Sequence, residues 1–97
     1  MPDSFSELYK VIDSRKTSKN KKSYTKKLFK GGEKKIAQKF GEESTELIID
    51  FLKGSKKRTK EEAVDVIYHL FVLLSAKKIK LNELEKEILK RKNVRQQ

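Results

Sequence analysis

The fold this sequence predicts is an all-α bundle of four to five helices. Three observations predict it. Apolar residues recur at the i, i+3, i+4, i+7 spacing of a helix with one buried face in successive segments. No stretch alternates apolar and polar residues as a half-buried strand does. Stopping glycines, and capping residues placed three before a glutamate, fall at the ends of the periodic segments. At 97 residues the chain makes one domain, residues 1–97, large enough for a core but too small for two.

In chain order, Ser4 caps a first helix through about Arg15, with Glu7 completing a capping box. Phe5, Leu8, Tyr9 and Ile12 form its apolar stripe. Lys16 to Ser23 is polar and reads as a loop, and Tyr24 to Lys30 as a short helix ended by Gly31-Gly32. A long helix follows from Glu33 to Lys53, with Gly54 as its stop. At about 100° per residue, Ile36, Phe40, Leu47 and Phe51 share one stripe of it. The next helix is expected from Thr59 to about Lys77, opened by the box Thr59-x-x-Glu62. Ala63, Val64, Val66, Ile67, Leu70, Phe71, Val72, Leu73 and Leu74 cover most of its circumference, which predicts the most buried helix. A last helix spans Leu81 to Lys92, capped by Asn82 with Glu85 at the third position, and residues 93–97 read as a frayed tail.

Composition narrows the function. With no cysteine there is no disulfide framework, no thiolate zinc site and no cysteine nucleophile. No apolar run approaches about 20 residues, so no membrane span is expected. Met1-Pro2-Asp3-Ser4 lacks a basic region leading into an apolar one, so a cytoplasmic location is expected. Hydrophobic content of 35% is low against a charged fraction of 40%, and subunit contact would add the burial such a thin core lacks. The net charge of +11 implies either a polyanionic partner or a solvated, lysine-rich surface of compositional origin. From Arg15 to Lys35 there are ten lysines and arginines against one acid, Glu33.

The chemistry rests on two acidic pairs, Glu43-x-x-Glu46 and Glu62-x-x-Asp65. Residues three apart on a helix lie side by side, so each pair can aim two carboxylates at one place. Glu43 lies about 20° from Ile36, at the margin of the apolar stripe. If the two helices pack antiparallel across the Gly54 turn, all four acids meet. Carboxylates carried into an interface are costly unless a cation meets them. A set of oxygens without sulfur suits Mg²⁺, with Mn²⁺ a second choice. Plainer readings stand beside this one. Glu-x-x-Glu is commonly a solvated face, Glu62 could simply cap its helix, and Lys39 could pair with Glu43 four residues on. His69 reads as a satisfied core residue or a support to the site rather than a ligand.

The segments Lys39-Phe40-Gly41-Glu42-Glu43-Ser44-Thr45-Glu46 and Glu61-Glu62-Ala63-Val64-Asp65-Val66-Ile67-Tyr68-His69-Leu70 resemble those of the phosphoribosyl-ATP pyrophosphatase family. That family sits within the MazG-like, all-α nucleotide pyrophosphatases. Leu8-Tyr9-x-Val11-Ile12-x-x-Arg15 and Ser23-Tyr24-Thr25-x-Lys27-Leu28-Phe29 extend the similarity over roughly Phe5 to Arg91. The acidic pairs alone indicate the superfamily; Ser-Tyr-Thr and Asp-x-x-Tyr-His narrow it. The resemblance implies hydrolysis of 1-(5-phosphoribosyl)-ATP to 1-(5-phosphoribosyl)-AMP and pyrophosphate, the second step of histidine biosynthesis. It implies Mg²⁺ on Glu43, Glu46, Glu62 and Asp65, with Glu42 binding a further ion or positioning the water. It also implies substrate contacts from Lys39, Tyr24, Thr25 and Lys27, and a homodimer with active sites near the subunit interface. Three features depart from the family pattern: Asp50 in place of a small apolar residue, Ser44 in place of alanine, and a lysine-rich Lys16–Lys22 loop. Asp50 is read as pairing with Lys53 or Lys39.

Two other functions compete. A housecleaning pyrophosphatase acting on nucleoside triphosphates would keep the acids, but the Ser23-Tyr24-Thr25 segment argues against it. A basic nucleic-acid-binding protein would account for the charge but not for acids bordering the core. The basic loop also lacks interleaved aromatics, so no nucleic-acid partner is expected.

Overall fold

The computed structural model describes residues 3–20 and 22–95, and among them finds five α-helices and no strand. They are α1 (Ser4–Ser14), α2 (Tyr24–Gly31), α3 (Glu33–Lys53), α4 (Lys56–Ala76) and α5 (Leu81–Arg95), with a 3₁₀ turn at Arg15–Thr17 after α1. The expected all-α bundle is therefore the observed architecture. Two long helices, α3 and α4, form an antiparallel hairpin across Gly54; α1 and α2 pack onto it.

The helix ends show which local signals prevailed. Asp3, not Ser4, caps α1: its carboxylate accepts the Ser6 N–H at 3.1 Å and the Ser6 hydroxyl at 2.6 Å. An anionic cap takes both donors and also suits the positive end of the helix. Ser23 caps α2 by accepting the Lys26 N–H, and Gly32 ends it at φ 88°, a conformation that glycine enters without strain. The expected bounds of α3 hold at both ends. The α4 helix starts a turn earlier than Thr59, because Ser55 stands next to the turn and accepts the Arg58 N–H. Thr59 then lies inside the helix, its hydroxyl between the carbonyls of Ser55 (2.9 Å) and Asp50 (3.1 Å), and ties α4 to the end of α3. Glu62 is thereby released from any capping duty.

At its far end α4 closes with the paired bonds Ile79 N–H to Leu74 C=O and Lys78 N–H to Ser75 C=O, both 2.9 Å. Lys78 takes the left-handed position (φ 61°) that glycine usually fills in this motif. The helix α5 is not opened by Asn82. The Glu83 carboxylate reaches back to the Lys80 N–H at 2.8 Å, and the helix runs on through Arg95. The frayed tail expected at 93–97 is thus helical backbone to Arg95, and Gln96 and Gln97 lie outside the described residues.

The core sits where the hairpin meets α1 and α2. Ile12, Leu28, Ile36, Phe71, Val72 and Leu74 are buried there, and Phe5 and Tyr9 set their rings edge-on to Phe71. Polar side chains drawn into this region among the described residues find partners. The buried Ser75 hydroxyl donates to Asp13 at 2.6 Å, the Tyr9 hydroxyl to the Ile79 carbonyl at 2.6 Å, and the Lys16 ammonium to the Ser75 carbonyl.

Toward the Gly54 end the expected α3 stripe is not covered. Ile36 is buried and Phe40 and Leu47 are half-buried, but Phe51 is 74% exposed. Leu52, Ile48 and Ile49 beside it, and Val64 on α4, are exposed as well. The periodicity was right about which face is apolar, but the core of α1, α2 and α4 closes over the Ile36 end of that face. On α5 the apolar side is only partly packed: Leu84 is half-buried, while Ile88 and Leu89 are exposed. Among the described residues, no helix is long and apolar enough to cross a membrane.

Candidate metal centre

The α3–α4 hairpin brings the two acidic pairs together. One carboxylate oxygen from each of Glu43, Glu62 and Asp65 lies within 4.8 Å of the other two. Glu43 is half-buried and Asp65 exposed, whereas Glu62 is only 6% exposed. Its Oε2 is buried and has no hydrogen-bond partner among the described residues. An unpartnered polar group away from water costs about 1–3 kcal/mol, and more when it is charged. Burial, then the neighbouring carboxylates of Glu43 and Glu46, pushes the Glu62 carboxyl up to about 7. Glu46 therefore stands close enough to act on Glu62, although it is exposed and outside the tight trio.

Such a cluster answers one kind of occupant well. Three mutually close carboxylates, one of them with an orphaned oxygen, match the hard, all-oxygen donor set that Mg²⁺ takes. The exposed side formed by Asp65 and Glu46 leaves room for waters or substrate oxygens, which that ion retains.

Around the trio lies a set of hydrogen-bonded supports. His69 is buried, with Nδ1 2.7 Å from the Asp65 carbonyl and Nε2 3.1 Å from the Tyr24 hydroxyl. A carbonyl only accepts, so Nδ1 carries the proton in this pair and Nε2 accepts from Tyr24. His69 is thus a support to the backbone beneath Asp65, in line with its expected role. Thr25 is buried at the α2–α4 seam, where its hydroxyl bonds that of Tyr68, and the Tyr68 and Tyr24 rings stack 6.3 Å apart. In the sequence Tyr68 figures only in the Asp-x-x-Tyr-His motif, with no role at the site; its place three residues after Asp65 was the available signal.

The remaining candidates divide. Glu42 is exposed on the flank of α3, where Gln38 donates to it at 2.9 Å and Lys39 at 3.2 Å. Those two bonds hold its carboxyl below the ordinary range. Lys39 therefore pairs with Glu42 and not with Glu43, because Glu43 turns toward α4. Lys39, Glu42 and Glu43 all act on the Tyr24 hydroxyl, whose pKa is raised mainly by burial, so Tyr24 and Lys39 border the trio. Lys27 is exposed one turn further along α2 and is not part of this group. Asp50 makes none of the expected ion pairs among the described residues. Its carbonyl and carboxylate instead crowd Gly54, where a β-carbon would come within 2.9 and 3.0 Å of them.

The chain is similar to known proteins along most of its length. The family model described as phosphoribosyl-ATP pyrophosphohydrolase matches residues 5–92. A relative in Bacillus cereus, named phosphoribosyl-ATP pyrophosphatase, is 45% identical over 91 residues, covering 94% of this chain and 85% of the relative. One of the same name in Clostridium acetobutylicum is 49% identical over 86 residues, covering 89% and 78%. Another in Bacillus anthracis is 43% identical over 91 residues, covering 94% and 85%.

Proposed function

The chain belongs to the phosphoribosyl-ATP pyrophosphohydrolase family, and from that premise we propose that it hydrolyses 1-(5-phosphoribosyl)-ATP to 1-(5-phosphoribosyl)-AMP and pyrophosphate, the second step of histidine biosynthesis. Water adds to phosphorus, the anhydride bond between the α and β phosphates breaks, and pyrophosphate leaves. The observation that best supports this reading is the buried, unpartnered Oε2 of Glu62 beside Glu43 and Asp65.

In this proposal Glu43, Glu46, Glu62 and Asp65 hold Mg²⁺, with Mn²⁺ as a substitute. The chemistry supplied by such an ion is neutralisation of polyphosphate charge and polarisation of the phosphoryl group. Glu42, kept ionised by Gln38 and Lys39, binds a further ion or orients the attacking water, whose proton passes to solvent. Lys39 and Tyr24, at the border of the trio, contact phosphate and ribose, and Lys27 reaches the outer phosphates. Thr25 serves through its bond to Tyr68, which fixes the ring on which Tyr24 stacks.

The proposed working form is a cytoplasmic homodimer. Its support is the exposed apolar face formed by Ile48, Ile49, Phe51 and Leu52 of α3 with Val64 of α4. That face lies on the same hairpin as the acids, so burying it against a second copy would place the site near the interface.

Purified protein incubated with phosphoribosyl-ATP and Mg²⁺ is expected to release pyrophosphate, and EDTA to stop the release. Comparable rates on a panel of deoxynucleoside triphosphates would move the assignment to a housecleaning pyrophosphatase.

A further inference from the structure

The acid cluster leaves the lysine-rich segment between α1 and α3 unexplained, and the structure gathers part of that segment around one cavity. A hollow of about 800 Å³ lies between the 3₁₀ turn and α2, lined by Lys16, Lys19, Lys26, Lys27 and Lys30 with Phe29. Among the described residues no carboxylate lines it. None of the trio Glu43, Glu62 and Asp65 takes part in it.

Two of the five lysines build the wall. The Lys26 ammonium donates to the Lys16 carbonyl at 3.0 Å, joining α2 to the turn. The Lys16 ammonium bonds the Ser75 carbonyl, stands 3.2 Å from the Asp13 carboxylate and lies 5.7 Å from the centre of the Phe29 ring. The other three, Lys19, Lys27 and Lys30, make no ion pair among the described residues. Three unpaired ammonium groups thus share a concave surface whose frame is held by hydrogen bonds. Like charges set together in this way favour an anion strongly.

We infer that this cavity binds a small oligophosphate, two or three linked phosphate groups, independently of divalent metal and outside the acid cluster. Size selects the class. The lining ammonium groups come from both walls, Lys19 from the side of the turn and Lys27 and Lys30 from α2, and the hollow of about 800 Å³ between them holds more than a single phosphate fills. The volume falls within the range typical of small-ligand sites, about 300–1,000 Å³. Single-stranded nucleic acid is commonly held on successive stacking aromatics, and among the described residues Phe29 alone supplies one to the lining. The inference stands on the lining of the cavity; Lys27 is shared with the proposed reaction, so the test is placed on Lys19 and Lys30, which take no part in it.

The test is titration of the full chain with tripolyphosphate in EDTA, followed by calorimetry and by amide chemical shifts. Saturable binding is expected, with the shifts centred on Lys19, Lys27 and Lys30. The double variant Lys19→Gln/Lys30→Gln is expected to lose about tenfold or more in affinity, through two missing charge-assisted contacts. It should keep its turnover of phosphoribosyl-ATP. A control, Lys56→Gln/Lys57→Gln, removes the same charge from exposed positions at the start of α4 and should bind as the parent does. Equal losses in both double variants would reduce the effect to overall charge and overturn the inference. Shifts centred on Glu43 and Asp65 would overturn it as well, and so would tighter binding of a short single-stranded oligonucleotide through the same lysines. If turnover is absent in every form while tripolyphosphate still binds at α2, the hydrolase reading falls and this one stands.

Discussion

The two ends of the α3–α4 hairpin are built on opposite principles. Where the hairpin meets α1 and α2, apolar side chains are covered and the polar groups among them are paired: Ser75 with Asp13, Tyr9 with Ile79, Lys16 with Ser75. Toward Gly54, Phe51 and Leu52 face outward and a buried oxygen of Glu62 has no partner among the described residues. One end is complete within the chain. The other has the features of a surface finished by something added, and on the proposed reading a cation and a second subunit finish it. The contrast teaches that burial alone does not mark a core: Glu62 is about as buried as Phe71, yet the two contribute to stability with opposite signs.

Matched truncations at the two ends should separate them most clearly. Phe71→Ala is expected to cost about 3–5 kcal/mol of stability, measured by denaturant unfolding, because it empties a packed site. Phe51→Ser should leave the unfolding free energy of the monomer nearly unchanged and instead weaken self-association, read by sedimentation. Equal destabilisation in the monomer would show that the Gly54 end is an ordinary core. Removing a proposed ligand comes next. Asp65→Asn and Glu46→Gln are each expected to lower turnover by about 100-fold or more while circular dichroism stays that of the parent. Retained turnover in both would refute the ligand set.

A smaller effect sharpens the electrostatic half of the comparison. The Glu62 carboxyl titrates near 7 in the folded chain against an ordinary 4.5, so the folded state keeps a proton that the unfolded state gives up. The contribution of Glu62 to the metal-free protein is therefore most favourable below pH 4.5. It declines as pH rises toward 7 and then levels off. Glu62→Gln should remove that slope, and Mg²⁺ should flatten it in the parent; melting curves across this range in EDTA and in Mg²⁺ check both. The smallest effect expected is that of Tyr24→Phe, which strips the donor from His69 Nε2 and leaves a buried acceptor unpartnered. A loss of about 1 kcal/mol is expected, with a several-fold fall in turnover read from the same assay.

Much of this was legible in the residues, and the exceptions have physical causes. The bounds of α3 followed from Gly32 and Gly54. The opening of α4 did not follow, because Thr59-x-x-Glu62 has capping spacing but Ser55 sits nearer the turn and competes first. The acidic pairs could be placed on two helices by counting, since side-chain direction on a helix is periodic. That Lys39 would choose Glu42, and that one oxygen of Glu62 would be left bare, could not, because both depend on how closely α4 approaches α3. Phe51 lies on the expected stripe yet faces outward, for a related reason. A stripe shows which face is apolar, and says nothing of how far along it the neighbouring helices reach.

The crowded turn at Gly54 has one more consequence. Glu46 and Glu62 stand eight residues to either side of it, and Glu43 and Asp65 eleven. The hairpin therefore acts as a folded ruler, and equal counting from its crease is what puts each acid opposite its counterpart. One residue inserted inside α3, between Glu46 and Gly54, would turn Glu43 and Glu46 by about 100° relative to the turn and part them from the acids of α4 without altering any of the four.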